Sequence, residues 1–266
     1  MRAATMNAVA LMLLASACAA ERAEAQSIAQ RVRAAGTGTV ELHYASRPGV
    51  CGDGRRFFSM GGNTYYGQWS SGDRPMTNCQ PGPARVRLRV EGGSVTSVRV
   101  AVGPAVSHAE PATDFGAVPA AEAASFFLSL ADTSGGRGSH DAIVAAVLAD
   151  SVSVWQRLLA IAENTDRASG ATRRNALFWV SRFATAKVMG HGEDIAEIEG
   201  RDDDRDDTRR DAVFALSQMR GKQGLDPLIQ IARTHRDPQV RGHAIFWIGQ
   251  SGDPRAVGVL REILRG

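Results

Sequence analysis

The sequence predicts an α+β protein: a small antiparallel β unit of about three strands with one disulfide, then a stack of paired helices. Alternating apolar and polar runs between Val40 and Val102 predict the first part. From Pro119 onward the apolar residues take up helical spacing, and within that region one motif is written three times. The copies are Arg173-Arg174-Asn175-Ala176-Leu177-Phe178-Trp179, Arg209-Arg210-Asp211-Ala212-Val213-Phe214-Ala215 and Arg241-Gly242-His243-Ala244-Ile245-Phe246-Trp247. Each has Arg three before Ala, a branched apolar residue one after it and Phe two after it. Spacings of 36 and 32 residues fall in the range of helical-repeat arrays.

Bulk properties narrow the class before any motif is weighed. A chain of 266 residues with 44% hydrophobic and 22% charged residues has enough apolar material for a sizeable core, which excludes disorder throughout. A formal charge of +3 is too small to imply a nucleic-acid partner by itself.

Residues 1–25 read as an export signal. Arg2 gives a positive start, Ala8 to Ala20 is apolar, and Ala23-Glu24-Ala25 is an A-x-A cleavage pattern. The apolar run is shorter than the about 20 residues a bilayer span needs. Ala15-Ser16-Ala17-Cys18 resembles a lipobox with Ala where Leu is usual, so lipid attachment at Cys18 is the alternative, and only that would bring the chain to a membrane. Cleavage after Ala25 removes Cys18 and leaves Cys51 and Cys79. An exported chain with that pair points to one disulfide, which the chain-entropy model values at about 3–4 kcal/mol.

Residues 26–103 form the β unit. Ser27 to Ala35 has the spacing of a short helix, ended by Gly36 and Gly38, and Thr39 to Ala45 alternates as a half-buried strand. Ser46 to Pro83 is rich in Gly, Ser, Asn and Pro and reads as a loop clipped by the disulfide. Val86 to Val90 and Val95 to Val102 alternate on either side of Gly92-Gly93, a hairpin signal. The sheet's apolar face needs a cover, and the first downstream helices are the nearest candidate. Residues 104–118 read as a Pro/Gly/Ala linker. Residues 119–150 read as bridging helices, with Ala123, Phe126, Phe127 and Leu130 forming a stripe and a second helix running from Asp141 to Leu148.

Residues 151–266 carry the repeats, beginning with a helix over Val152 to Asn164. Asp226-Pro227, Asp237-Pro238 and Asp253-Pro254 each offer a carboxylate cap followed by proline at the first helical position. Short turns between such starts force neighbouring helices antiparallel. The first helices also repeat: Leu158-Leu159-Ala160-Ile161-Ala162 is similar to Leu228-Ile229-Gln230-Ile231-Ala232, and Ile195-Ala196-Glu197-Ile198 is a weaker copy. On these residues the segment from about 152 to 264 resembles HEAT repeats, especially the short variety of phycobilisome-lyase-type proteins. The pattern is clearest in Asp237-Pro238-Gln239-Val240-Arg241 with Ala244 and in Gly252-Asp253-Pro254-Arg255-Ala256-Val257 with Leu260. The resemblance implies an α-solenoid, a non-enzymatic role in protein–protein interaction, and an Asp–Arg ladder between repeats. Carried onto this chain, that ladder falls on Asp237, Arg241 and Arg209, with Asp206 beside them. The last helix, from Pro254 to Arg265, reads as the cap of the array.

A helical wheel with Ala176, Ala212 and Ala244 as origin places Asn175/Arg182, Asp211/Gln218 and His243/Gln250 on one face beside the repeated Phe. This polar row is the candidate interaction face, suited to a protein or peptide partner. No cofactor, metal or nucleic-acid partner is expected. The run Asp202 to Asp207 lacks the Gly and Glu of a calcium loop, and Ser139-His140-Asp141 are merely adjacent in sequence. His108-Ala109-Glu110 and Asp114-Phe115-Gly116 lack the companion motifs of deaminases and kinases. A nucleic-acid-binding array using Arg173, Arg209, Arg210 and Arg241, or an enzyme with its site in the β unit, is the remaining alternative.

Overall fold

The structure, a computed structural model, describes residues 26–55, 57–60, 63–66, 69–70, 79–133, 137–196, 204–219 and 223–266. The export segment with Cys18, and Asp202 and Asp203 of the acidic run, lie outside the described residues.

The first helix among the described residues is α1 (Ile28–Ala35), capped by Ser27, whose hydroxyl accepts from the Gln30 N–H while the Gln30 side chain accepts from the Ser27 N–H. Each partner thereby satisfies a helix-end donor. Strands β1 (Gly38–Tyr44), β7 (Ala84–Glu91) and β8 (Ser94–Val102) are antiparallel neighbours, and the Gly92-Gly93 turn joins the last two. Alternation puts Val86, Leu88 and Val90 inside and Arg85, Arg87 and Arg89 outside.

Two parts of this unit depart from the sequence reading. The stretch read as a linker over 104–118 contains strand β9 (Thr113–Ala117), which pairs parallel with β1 and completes the order β8-β7-β1-β9. The clipped loop holds a second sheet, β2 (Cys51–Gly52), β3 (Phe57–Met60), β4 (Asn63–Tyr66), β5 (Trp69–Ser70) and β6 (Gln80–Pro81), in the order β5-β4-β3-β2-β6. Its strands are only two to four residues long, with Phe58 and Met60 of β3 buried, so alternation has no length over which to show among the surrounding glycines. Cys51 and Cys79 lie at bonding distance with their Cα atoms 5.1 Å apart, tying β2 to the start of β6.

Helices α2 (Ala120–Thr133) and α3 (Arg137–Val147) pack on each other and cover the inner face of the first sheet. Tyr44 reaches from β1 to Phe127, ring centroids 6.1 Å apart, and its hydroxyl donates to the Ala145 carbonyl at 2.5 Å. Arg47 is the second tie. Only 7% exposed, it donates to the carbonyls of Val147 (2.7 Å), Val152 (2.6 Å) and Glu193 (3.4 Å) and lies over the Phe183 ring. At Val147 it satisfies one of the carbonyls that a helix C-terminus leaves open, and at Val152 and Glu193 it satisfies carbonyls of non-helical segments.

The helical part follows as α4 (Trp155–Glu163), α5 (Gly170–Val188), α6 (Asp204–Ser217), α7 (Leu225–Thr234), α8 (Pro238–Gln250) and α9 (Arg255–Arg265). Asp237 caps α8 as its Asp-Pro dipeptide predicts, accepting from the Gln239 N–H. Asp253 accepts from the Arg255 N–H ahead of α9. Asp226 does not cap: α7 begins at Leu225, so Asp226 and Pro227 lie inside its first turn. Proline is tolerated there because first-turn N–H groups have no intrahelical acceptor.

Candidate functional site

The repeat geometry is read best from side chains joining successive helices. Arg255 pairs with Asp226 at 2.7 Å and Arg233 with Glu262 at 2.5 Å, both between residues 29 apart, so α7 and α9 run side by side in one direction. Arg209 pairs with Asp237 at 2.9 Å, 28 residues apart, and the Phe214 ring meets the Trp247 ring at 5.2 Å. Helices α6 and α8 are therefore parallel too, as second helices of neighbouring hairpins should be.

Helix α5 breaks this pattern. A Cβ placed on Gly249 would stand 2.5 Å from the Ser181 Cβ and 3.4 Å from the Leu177 carbonyl oxygen. One placed on Gly242, at the other end of α8, would stand 3.0 Å from Thr185 and 3.3 Å from the Met189 sulfur. Ascending positions on α8 thus meet descending positions on α5, and the two helices are antiparallel. The Thr185 hydroxyl closes the contact by donating to the Gly242 carbonyl at 3.2 Å. Phe178 meets Phe246, its counterpart in the motif, at 6.2 Å, across an approximate two-fold and not along one direction of stacking.

The sequence-derived face divides accordingly. Asp211 and Gln218 are exposed on α6, alongside half-buried His243 and exposed Gln250 on the parallel helix α8. Asn175 and Arg182 do not continue that row as the motif alignment predicts, because α5 runs the other way. Both are half-buried, and Arg182 donates to the Ile195 carbonyl at 3.4 Å.

Of the residues assigned to a ladder, Arg209 and Asp237 form the ion pair above. Arg241 instead donates to the carbonyls of His235 (2.8 Å), Arg236 (3.2 Å) and Val188 (3.3 Å). Arg173 does the same to Ala168 at 2.8 Å, the carbonyl five residues back. The repeated arginine of the motif therefore closes the turn that precedes its own helix in two of the three copies.

Of the weak first-helix copy, Ile195 and Ala196 lie in a turn, and Glu197 and Ile198 lie outside the described residues. Residues 189–196 turn at Gly190 and Gly192, both at positive φ (88° and 61°), where glycine avoids a Cβ clash. They fold back toward the β unit: Ile195 is fully buried, Ala196 approaches Gly49, and Glu193 accepts from the Trp155 indole at 3.0 Å and the Ser153 hydroxyl at 2.9 Å. Among the described residues, α6 is the most exposed of the three motif helices. Ala176 and Ala244 are fully buried, whereas Ala212 and Ala215 are exposed, with Phe214 46% and Met219 44% exposed.

Sequence reasoning passed over a different feature. At the β8 edge of the first sheet, Arg85, Arg87 and Arg99 of its outer face line a cavity of about 880 Å³ that reaches Asp141 of α3. Burial pushes the Asp141 carboxyl up to about 7. The alternating arginines of β7 were the available signal, but alternation alone does not separate a lined cavity from a solvated face. Among the described residues, no group of three or more His, Cys, Asp or Glu could hold a metal ion, and no helix is long and apolar enough to cross a membrane.

The parallel pairs α6/α8 and α7/α9, offset by 28 and 29 residues, define a helical-hairpin repeat. A family model of HEAT repeats matches residues 196–266, the same stretch, so the C-terminal part of the chain is HEAT-like. No curated protein and no solved structure matches the chain.

Proposed function

We propose that this is an exported, non-enzymatic scaffold of the cell envelope, which binds a protein partner through its HEAT-like helices. HEAT repeats generally mediate protein–protein interaction, and that is the basis of the reading. The observation that carries it further is the exposed face of α6. Ala212, Phe214, Ala215 and Met219 are exposed, whereas the motif alanines of the sibling helices are buried, and Asp211 and Gln218 supply a polar rim. A partner's amphipathic helix fits that surface, adding by association the first helix this hairpin lacks among the described residues. Export is supported by the signal-like residues 1–25 and by Cys51 and Cys79 at bonding distance, an arrangement at home in an oxidising compartment.

Capture from envelope extract with the mature protein tests this. Phe214→Asp should abolish recovery of a partner that Gln230→Ala, on the exposed side of α7, still retains. Recovery of the same proteins by both variants would refute the assignment of the surface. The lipobox-like Cys18 leaves a lipid-anchored envelope factor as the second reading, and intact mass separates a diacylated Cys18 from a chain beginning at Gln26.

A further inference from the structure

The cavity at the β8 edge of the first sheet lies in a size range typical of small-molecule sites, and its lining sets four arginines beside four acids that do not all pair with one another. Pairing across the strands sets Glu41 on one side of Arg87 and Arg99 on the other. Arg87 is occupied: it donates to Glu41 at 2.9 Å and to the Glu110 carbonyl at 2.8 Å. The Glu110 carboxylate takes Arg89 at 3.2 Å. Asp53 is engaged in its own turn, accepting from the backbone N–H groups of Arg55 and Phe57.

Two cations of the sheet remain. Arg99 is exposed, with no hydrogen bond or ion pair among the described residues, and it lies directly opposite another arginine, Arg87. Like charges in such a pair repel unless something intervenes. Arg85 commits only its Nε, to the Gly103 carbonyl at 3.4 Å, and leaves both terminal nitrogens for another acceptor. Because Arg85 pairs with Ala101, Arg99 is its diagonal neighbour, within about 7–8 Å and so within joint reach of one small anion. Asp141 is the lining acid without a partner among the described residues, and burial drives it toward the neutral form, so it does not cancel the two arginines. Phe57, Val98 and Val106 give the remaining wall an apolar character.

We propose that this cavity binds a small apolar carboxylate, its carboxylate held jointly by Arg85 and Arg99 and its hydrocarbon body laid against Phe57 and Val106. Guanidinium groups suit the planar oxyanion, and the apolar wall separates such a ligand from a bare inorganic ion. The site does not depend on the helical surface and would stand if that surface proved inert.

Calorimetric titration of the mature protein with octanoate, 1-octanol and inorganic phosphate tests it. Octanoate should bind saturably at one site, while octanol and phosphate each bind at least about tenfold more weakly, the loss expected when a charge-assisted hydrogen bond goes. Arg85→Gln and Arg99→Gln should each weaken octanoate about tenfold, and Arg89→Gln, on the same face but paired with Glu110, should leave it unchanged. Circular dichroism checks folding of each variant, and Val106→Glu, which sets a negative charge on the apolar wall, gives an independent second loss. The proposal is overturned by the absence of saturable octanoate binding, by equal binding of octanol or phosphate, or by an Arg85→Gln/Arg99→Gln double variant that binds as the parent does.

Discussion

Replacing Gly249 with alanine separates the antiparallel contact of α5 and α8 from the parallel stacking a simple array would have. In an exposed helix interior this change stabilises, because glycine costs about 1 kcal/mol relative to alanine. Here the new Cβ would arrive 2.5 Å from the Ser181 Cβ. Carbon atoms rest at about 3.5–4.0 Å, so the helices must separate by about 1 Å along a buried seam. Overpacking of that kind costs about 1–3 kcal/mol, which offsets or exceeds the propensity gain and leaves a net loss of up to about 2 kcal/mol. Gly258, in α9, is the control, since nothing lies within 4 Å of its Cβ direction. Gly258→Ala should therefore stabilise by about 0.5–1 kcal/mol. Urea unfolding at constant m-value reads both changes. Ser181→Gly in the Gly249→Ala background should restore part of the loss, with a coupling of about 1–2 kcal/mol between two positions in contact. Should Gly249→Ala raise the midpoint as Gly258→Ala does, or should the cycle show no coupling, α5 and α8 do not meet as described.

Two further outcomes follow from single side chains. Asp141 has a folded-state pKa of about 7, above the usual carboxylate value, so the stability linked to its proton is fully present below about pH 4 and is lost as pH rises through about 7. Asp141→Asn should remove that decline; the raised value sets a ceiling of about 4 kcal/mol, which solvent access reduces to about 1–2 kcal/mol at pH 8, and parallel stability–pH curves for the two proteins would contradict the assignment. At the other end of the chain, Arg209→Ala should cost no more than about 0.5 kcal/mol, because its ion pair with Asp237 is solvent-exposed on the arginine side. Asp237→Ala also loses the cap of α8 and should cost about 1 kcal/mol more; equal midpoints for the two variants would show that the cap contributes nothing.

Legibility in the sequence followed the range over which each signal acts. Alternation in β7 and β8 and the proline-bounded start of α8 are local, and each appears where the residues place it. The repeated arginines and aromatic residues gave the correct helices but not their directions. A motif fixes which face of a helix is apolar, and both a parallel and an antiparallel neighbour can bury it. The decisive residues are Gly242 and Gly249, whose value lies in what is missing from their side chains and shows only against Thr185 and Ser181. Strand β9 escaped for a related reason: Thr113-Asp114-Phe115-Gly116-Ala117 does not alternate, and its pairing comes from β1, about seventy residues earlier. The outer cavity needed the register of three strands before Arg85 and Arg99 could be seen as neighbours.

Arg47 has a consequence for how the molecule comes apart. One guanidinium holds the end of α3, the segment leading into α4 and the reversal before α6, while its own backbone belongs to the β unit. Removing the N-terminal part would therefore leave carbonyl groups from three separate stretches of the helical half unsatisfied at once, beside a phenylalanine stripped of its cover. The change from alternating to helical periodicity at Pro119 marks a difference in architecture without marking a place to cut: melting of either half would drag the other with it.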